Sequence, residues 1–198
     1  VKSLRNNKVE VAIALTEGLI ADKMKRGEEA NYKMVGTYVE SRLEWASVAH
    51  PEASIKKLGD LKKATFGISR YGSGSHVMSY VLGKKEGMNM EEDIKYKVAG
   101  GMESLIQGVE QQQFDTFMWE RFTIKPAVDS GRVRYIGFTK TPWPCFCIAI
   151  RQDVLNTYPK TAIQGLLRAI NAATKTFKEG GDESLERICK TCRLNEED

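Results

Sequence analysis

The sequence predicts an α/β protein of two small lobes, each with a mainly parallel sheet flanked by helices. Three observations carry this. Short apolar runs alternate with segments whose apolar residues recur at helical spacing, the pattern of strand–helix units. Roughly seven strands can be counted, too many for one sheet with crossovers in 198 residues. A faint internal echo links residues 4–15 with 105–119, each running from a leucine through an acid into a short buried strand.

Taken in order, Val9 to Leu15 is apolar on both faces, as a strand covered by helices would be. Leu19, Ile20 and Met24 continue as a helix closed by Gly27. Residues 32–39 form a second strand, and an extended piece runs from Ser41 to Ala49, stopping at His50-Pro51. Residues 64–68 form the next strand, and Val77, Met78, Val81 and Leu82 mark the helix after it. A strand at 94–98 precedes Met102, Leu105, Ile106 and Val109, which occupy one helical face. Residues 114–119 are a strand, the helix begun at Glu120 is disturbed by Pro126, and 133–138 is again a strand. Pro142-Trp143-Pro144 leads to a strand at 145–150. The tail is helical: Pro159 suits a first helical position, Ile163 to Phe177 share a face, and Asp182 caps a last helix after Gly180-Gly181.

Net charge is +4, with basic pairs such as Lys56-Lys57 and Lys84-Lys85 scattered among acids. That is a solvated surface, so no nucleic-acid partner is expected. No apolar run approaches the roughly 20 residues that span a bilayer, so no membrane insertion is expected. Cys145/Cys147 and Cys189/Cys192 form two close pairs rather than a spread disulfide framework. They point to a reducing, cytoplasmic compartment; a signal peptide lost with the N-terminus would point instead to the periplasm.

The most informative stretch is Ser69-Arg70-Tyr71-Gly72-Ser73-Gly74-Ser75-His76, where a strand turns into a helix. A helix start leaves backbone N–H groups without partners and carries partial positive charge. Glycine admits a ligand to the backbone, and serine hydroxyls add donors or cap the helix. The product is a cradle for an anionic or carbonyl-bearing group; an ordinary capped turn is the alternative.

The order of motifs resembles a known family. Thr16-Glu17-Gly18, Leu43-Glu44-Trp45-Ala46, Asp60-Leu61-Lys62, the turn just described, Phe114-Asp115 with Trp119-Glu120, and Arg151-Gln152-Asp153-Val154-Leu155 follow one another as in ABC-transporter solute-binding proteins. These have the type II periplasmic-binding fold, and the branch resembled binds thiamine-pyrimidine precursors, sulfonates and taurine. The resemblance implies a small-molecule ligand held between two lobes and, if the protein is exported, an ABC-transporter permease as partner. It implies lobe I at 1–50 plus 139–198, lobe II at 51–138, and crossings near 46–55 and 137–144. Family members begin with a further strand, helix and strand, so lobe I is expected to be incomplete at its N-terminus.

Ser73, Gly74 and Ser75 are the leading candidates for ligand contacts. Arg70 can pair an anionic group, or be plain surface charge. Trp119 can stack on a flat ring, while Trp45 and Trp143 stand near strand ends and fit core or crossing support as well. Glu17 and Glu120 can accept from a ligand amine or simply sit at helix N-termini. His76 reads as a satisfied, non-catalytic histidine.

No catalytic or metal-binding residues and no cofactor are expected. No Gly-x-Gly-x-x-Gly, Gly-x-Ser-x-Gly or Gly-Lys-Ser/Thr pattern occurs, and two histidines leave little for a triad or zinc site. Cys145-Phe146-Cys147 resembles part of the cysteine motif of fungal pyrimidine synthases of thiamine biosynthesis, which supplies an enzymatic alternative. Trp143 and Pro144 replace half of that motif. An interaction module keeping the fold without its ligand is a third reading.

Overall fold

The computed structural model describes residues 1–192, without the side chain of Cys192. Eight strands and eight α-helices follow one another along it: α1 (Lys2–Arg5), β1 (Val11–Leu15), α2 (Thr16–Arg26), β2 (Tyr32–Val39), β3 (Glu44–Ala49), β4 (Thr65–Ile68), α3 (Gly74–Lys85), β5 (Lys95–Val98), α4 (Met102–Glu110), β6 (Thr116–Glu120), α5 (Arg121–Asp129), β7 (Arg134–Lys140), β8 (Phe146–Arg151), α6 (Gln152–Thr157), α7 (Lys160–Glu179) and α8 (Gly181–Cys192).

The strands make two sheets, one ordered β1-β8-β2 and the other β5-β4-β6-β3-β7. The α/β class and the division into two sheets agree with the sequence, but the strand directions do not. In the smaller sheet β8 pairs antiparallel with both neighbours. In the larger, β4 is parallel to β5 and β6, whereas β3 is antiparallel to β6 and β7. The expected mainly parallel sheets therefore reduce to the β5-β4-β6 corner. Antiparallel pairing needs no crossover helix between partners, which lets strands distant in sequence complete each sheet.

β3 alternates its side chains as a strand buried on both faces must. Trp45 and Ala49 join Phe66, Met78 and Leu82 under α3. Ala46 and Val48 join Leu105, Val109, Phe117 and Ile124 under α4 and α5. The smaller sheet has its own core of Leu4, Leu19, Ala30, Tyr32 and Ala149, beneath α1 and α2. α7 carries the apolar stripe expected, yet none of its residues is buried; Ile170, Ala173 and Phe177 face Ile13 and Tyr38 across an open groove. Pro126 lies within a continuous α5 rather than breaking it.

The chain passes between the sheets at 40–43 and 141–145, so β3, inside the segment assigned to lobe I, pairs with the larger sheet. The two passages are bonded to each other. Thr141 N–H donates to Leu43 O at 3.0 Å and Cys145 N–H to Ser41 O at 3.1 Å. The buried Thr141 hydroxyl accepts from Leu43 N–H at 3.1 Å and donates to Trp143 O at 2.8 Å. Thr141→Val strands both groups and is expected to cost about 1–3 kcal/mol, read from urea unfolding.

Arg134 is a second clamp. Its guanidinium donates to Pro51 O at 2.9 Å and Ala53 O at 3.0 Å, and also to Ile55 O, holding the loop after β3 against β7. Arg134→Met leaves three carbonyls without their donor, and a loss of about 1–3 kcal/mol is expected in the same measurement.

Candidate functional site

Between the two sheets lies a cleft of about 550 Å³, within the range of small-ligand sites. The start of α3 forms one end, with Ser69, Arg70, Ser73, Gly74 and Ser75. Trp45, Trp119, Glu120 and Thr123 from the larger sheet and α5 form one wall. Leu15 and Gly18 beside the smaller sheet, with Leu43 and Phe146 at the passages, form the other.

The turn before α3 is built by its own serines. Ser73 Oγ donates to Arg70 O at 2.7 Å and caps His76 N–H at 3.4 Å. Ser75 Oγ accepts from Ser69 N–H at 3.1 Å and lies 3.0 Å from Ser73 Oγ. Both side chains are buried. The hydroxyls thus hold the turn. The open donors are the N–H groups of Gly74 and Ser75, for which no acceptor is found among the described residues. Gly72 turns at φ +74°, a left-handed conformation suited to glycine, and its N–H donates to His76 Nδ1 at 3.1 Å. His76 lies outside the cleft lining, ringed by Tyr71, Tyr80 and Tyr96. Burial pushes its pKa down.

Gly74 is required for packing. A Cβ there would lie 2.6 Å from Trp45 Cη2 and 2.7 Å from Cζ2. Trp45 is 4% exposed, and its Nε1 is buried without a partner. Trp119 is half-buried on the same wall. Glu120 reaches the cleft, but its carboxylate caps α5, accepting from Phe122 N–H at 2.9 Å and Thr123 N–H at 2.8 Å. Arg70 is exposed at the cleft edge.

Two candidates, Glu17 and Trp143, do not line the cleft. They stand behind it and bond each other, Trp143 Nε1 donating to Glu17 Oε2 at 2.9 Å. Glu17 is 3% exposed, and burial raises its carboxyl pKa above the usual range. A raised folded-state pKa favours folding most below the ordinary carboxylate pKa, and this advantage is lost as pH rises through the folded value. Glu17→Gln is therefore expected to flatten the fall in thermal stability across that interval.

Phe146 also lines the cleft, although its place between two cysteines does not single it out in the sequence. Period-two alternation is the signal that separates them: Phe146 lines the cleft, while Cys147 Sγ lies 3.2 Å from Thr16 Oγ1. Cys145, Cys147 and Cys189 are free. The Cys189-x-x-Cys192 pair falls partly outside the described residues, because the Cys192 side chain is not among them. Among the described residues no group of three or more His, Cys, Asp or Glu converges as a metal site. No helix of the described residues is long and apolar enough to cross a membrane.

Residues 45–139 match the model of the Ca3427-like PBP family. The Candida albicans CA3427 gene product, described as defining a family with the generic periplasmic binding protein fold, superposes with a TM-score of 0.83 at 32% identity, covering 96% of this chain and 61% of its own. The periplasmic aliphatic sulphonate binding protein SsuA of Escherichia coli gives 0.69 at 15% identity, covering 98% and 61%. The alkanesulfonate-binding SsuA of Xanthomonas axonopodis pv. citri, bound to MOPS, gives 0.75 at 13%, covering 98% and 65%. At those identities the two SsuA proteins speak for the fold alone. The chain spans under two thirds of the length of each of these three structures. No curated protein matches the sequence. The chain has the type II periplasmic-binding fold.

Proposed function

We propose that this chain acts as a solute-binding protein, holding a small molecule with an anionic or carbonyl-bearing head in the cleft between the sheets. The observation that supports this most is the pairing, in one cavity, of two open amides at the start of α3 with an aromatic wall. In this reading the Gly74 and Ser75 N–H groups and Arg70 take the head, as helix starts and guanidinium groups take anions. Trp45, Trp119 and Phe146 take the body. Ser73 and Ser75 hold the turn, Glu120 fixes the start of α5, and Glu17 and Trp143 brace the wall from behind. The sulfonate ligands of the two SsuA proteins agree with such a head group.

The sheets would then be the cores of two lobes, 1–43 with 141–192 and 44–140, closing about the bonded passages. If the protein is exported, its partner is an ABC-transporter permease. A thermal-shift panel of alkanesulfonates, phosphonates, thiamine-pyrimidine precursors and polyamines tests the reading. An anionic or carbonyl-bearing member should raise Tm with concentration. No shift with any of them would leave a fold without a solute, the interaction-module alternative.

A further inference from the structure

We propose that Glu17 makes anion binding in this cleft proton-coupled: an anion settles against the start of α3 as Glu17 takes up a proton from solvent. This rests on the functional reading above and adds a determinant of selectivity to it.

Glu17 lies in the first turn of α2, yet its carboxylate points to the first turn of α3. Its Oε1 is 3.2 Å from the Cβ position of Gly74, beside the two open amides, and has no hydrogen-bond partner. Its Oε2 is taken by Trp143. An anion on the amides of Gly74 and Ser75 would lie close to this carboxylate, separated from it by little more than the Gly74 backbone, in poorly solvated surroundings where like charges repel strongly. Protonation removes the repulsion and converts Glu17 from acceptor to donor.

Among the described residues no cation pairs with Glu17. On α2, Asp22 is engaged by Arg5 and Arg26. From the passage at 141–145 comes only the Cys145 thiol, itself pushed up chiefly by burial and then by Glu17. α3 contributes His76, turned into its tyrosine cluster. β3 contributes Trp45, whose Nε1 is an unpartnered donor. Arg70 and Glu120 stand farther along the cleft lining, with opposite charges. Burial already favours the neutral Glu17 carboxyl before any ligand arrives.

The test is calorimetric titration of the chain with ethanesulfonate between pH 5.5 and 8, in bis-tris, imidazole and Tris, whose ionisation enthalpies differ. Wild type should take up close to one proton per ligand above the free Glu17 pKa, with affinity falling up to roughly tenfold per pH unit there. Glu17→Gln should take up none and bind with nearly constant affinity. Trp143→Phe, which loses the donor favouring ionised Glu17, should shift the wild-type curve to higher pH; it decides the matter if Glu17→Gln does not fold. Binding without proton uptake, equal uptake in Glu17→Gln, or an unshifted Trp143→Phe curve overturns the proposal alone. Absence of binding in every protein, by ethanesulfonate and by every member of the panel above, overturns the cleft reading and this proposal with it.

Discussion

Gly74→Ala will weaken ligand binding at least tenfold while leaving the turn before α3 in place. The new methyl would meet the Trp45 ring at 2.6–2.7 Å and Glu17 Oε1 at 3.2 Å. Trp45 sits on β3, bonded on both sides to β6 and β7, so its backbone cannot retreat. Relief comes from swinging the indole into the cleft, where it occupies ligand space. Overpacking of this kind costs about 1–3 kcal/mol, so Tm falls as well. Titration calorimetry and thermal unfolding separate the two effects. Gly72→Ala is the contrast: nothing lies within 4 Å of its Cβ position, but φ is +74°, so stability suffers through backbone strain rather than a filled cleft.

The largest loss of stability is expected at Phe114. Its ring, 4% exposed, fills a slot between β4 and α4. Cβ atoms added at Gly67 and Gly108 would lie 2.2 and 2.3 Å from it, so both glycines are small because the ring is large. Phe114→Ala should cost about 3–5 kcal/mol, measured by urea unfolding. Gly67→Ala alone should also be strongly destabilising. Phe114→Leu combined with Gly67→Ala should cost less than the sum of the single changes, because residues sharing one space are not additive. Strict additivity would mean that ring and glycines do not compete for the same volume.

Much of this was legible in the sequence, and the exceptions share a cause. The strand–turn–helix at 64–85 could be read locally, since the apolar run, the glycines and the helical spacing all lie within one short window. Trp45 and Trp119 could be nominated on the same basis. Strand direction could not, because whether β3 runs parallel or antiparallel depends on partners far along the chain, from Thr116 opposite Ala49 to Lys140 opposite Glu44. For the same reason the passages fall at 40–43 and 141–145, the first earlier and the second slightly later than the crossings near 46–55 and 137–144 that the resemblance implies. The serines illustrate a subtler limit. Residue type shows that Ser73 and Ser75 can donate, but only the folded turn shows that they spend their hydroxyls on Arg70 O, Ser69 N–H and each other. Glu17 is the counterpart. A glutamate at a helix start normally faces water, and its burial follows from Trp143 and Gly74, which are far from it in the chain.

The most direct measurement is a ¹H–¹⁵N titration of the chain with ethanesulfonate, following the amides of Gly74 and Ser75. If the start of α3 holds the head group, those two resonances move first and saturate together, with the Trp45 and Trp119 indole signals shifting at the same ligand concentration. Saturable shifts confined to other surfaces, with both amides still, would show that the solute rests elsewhere and that the opening between the sheets serves another purpose.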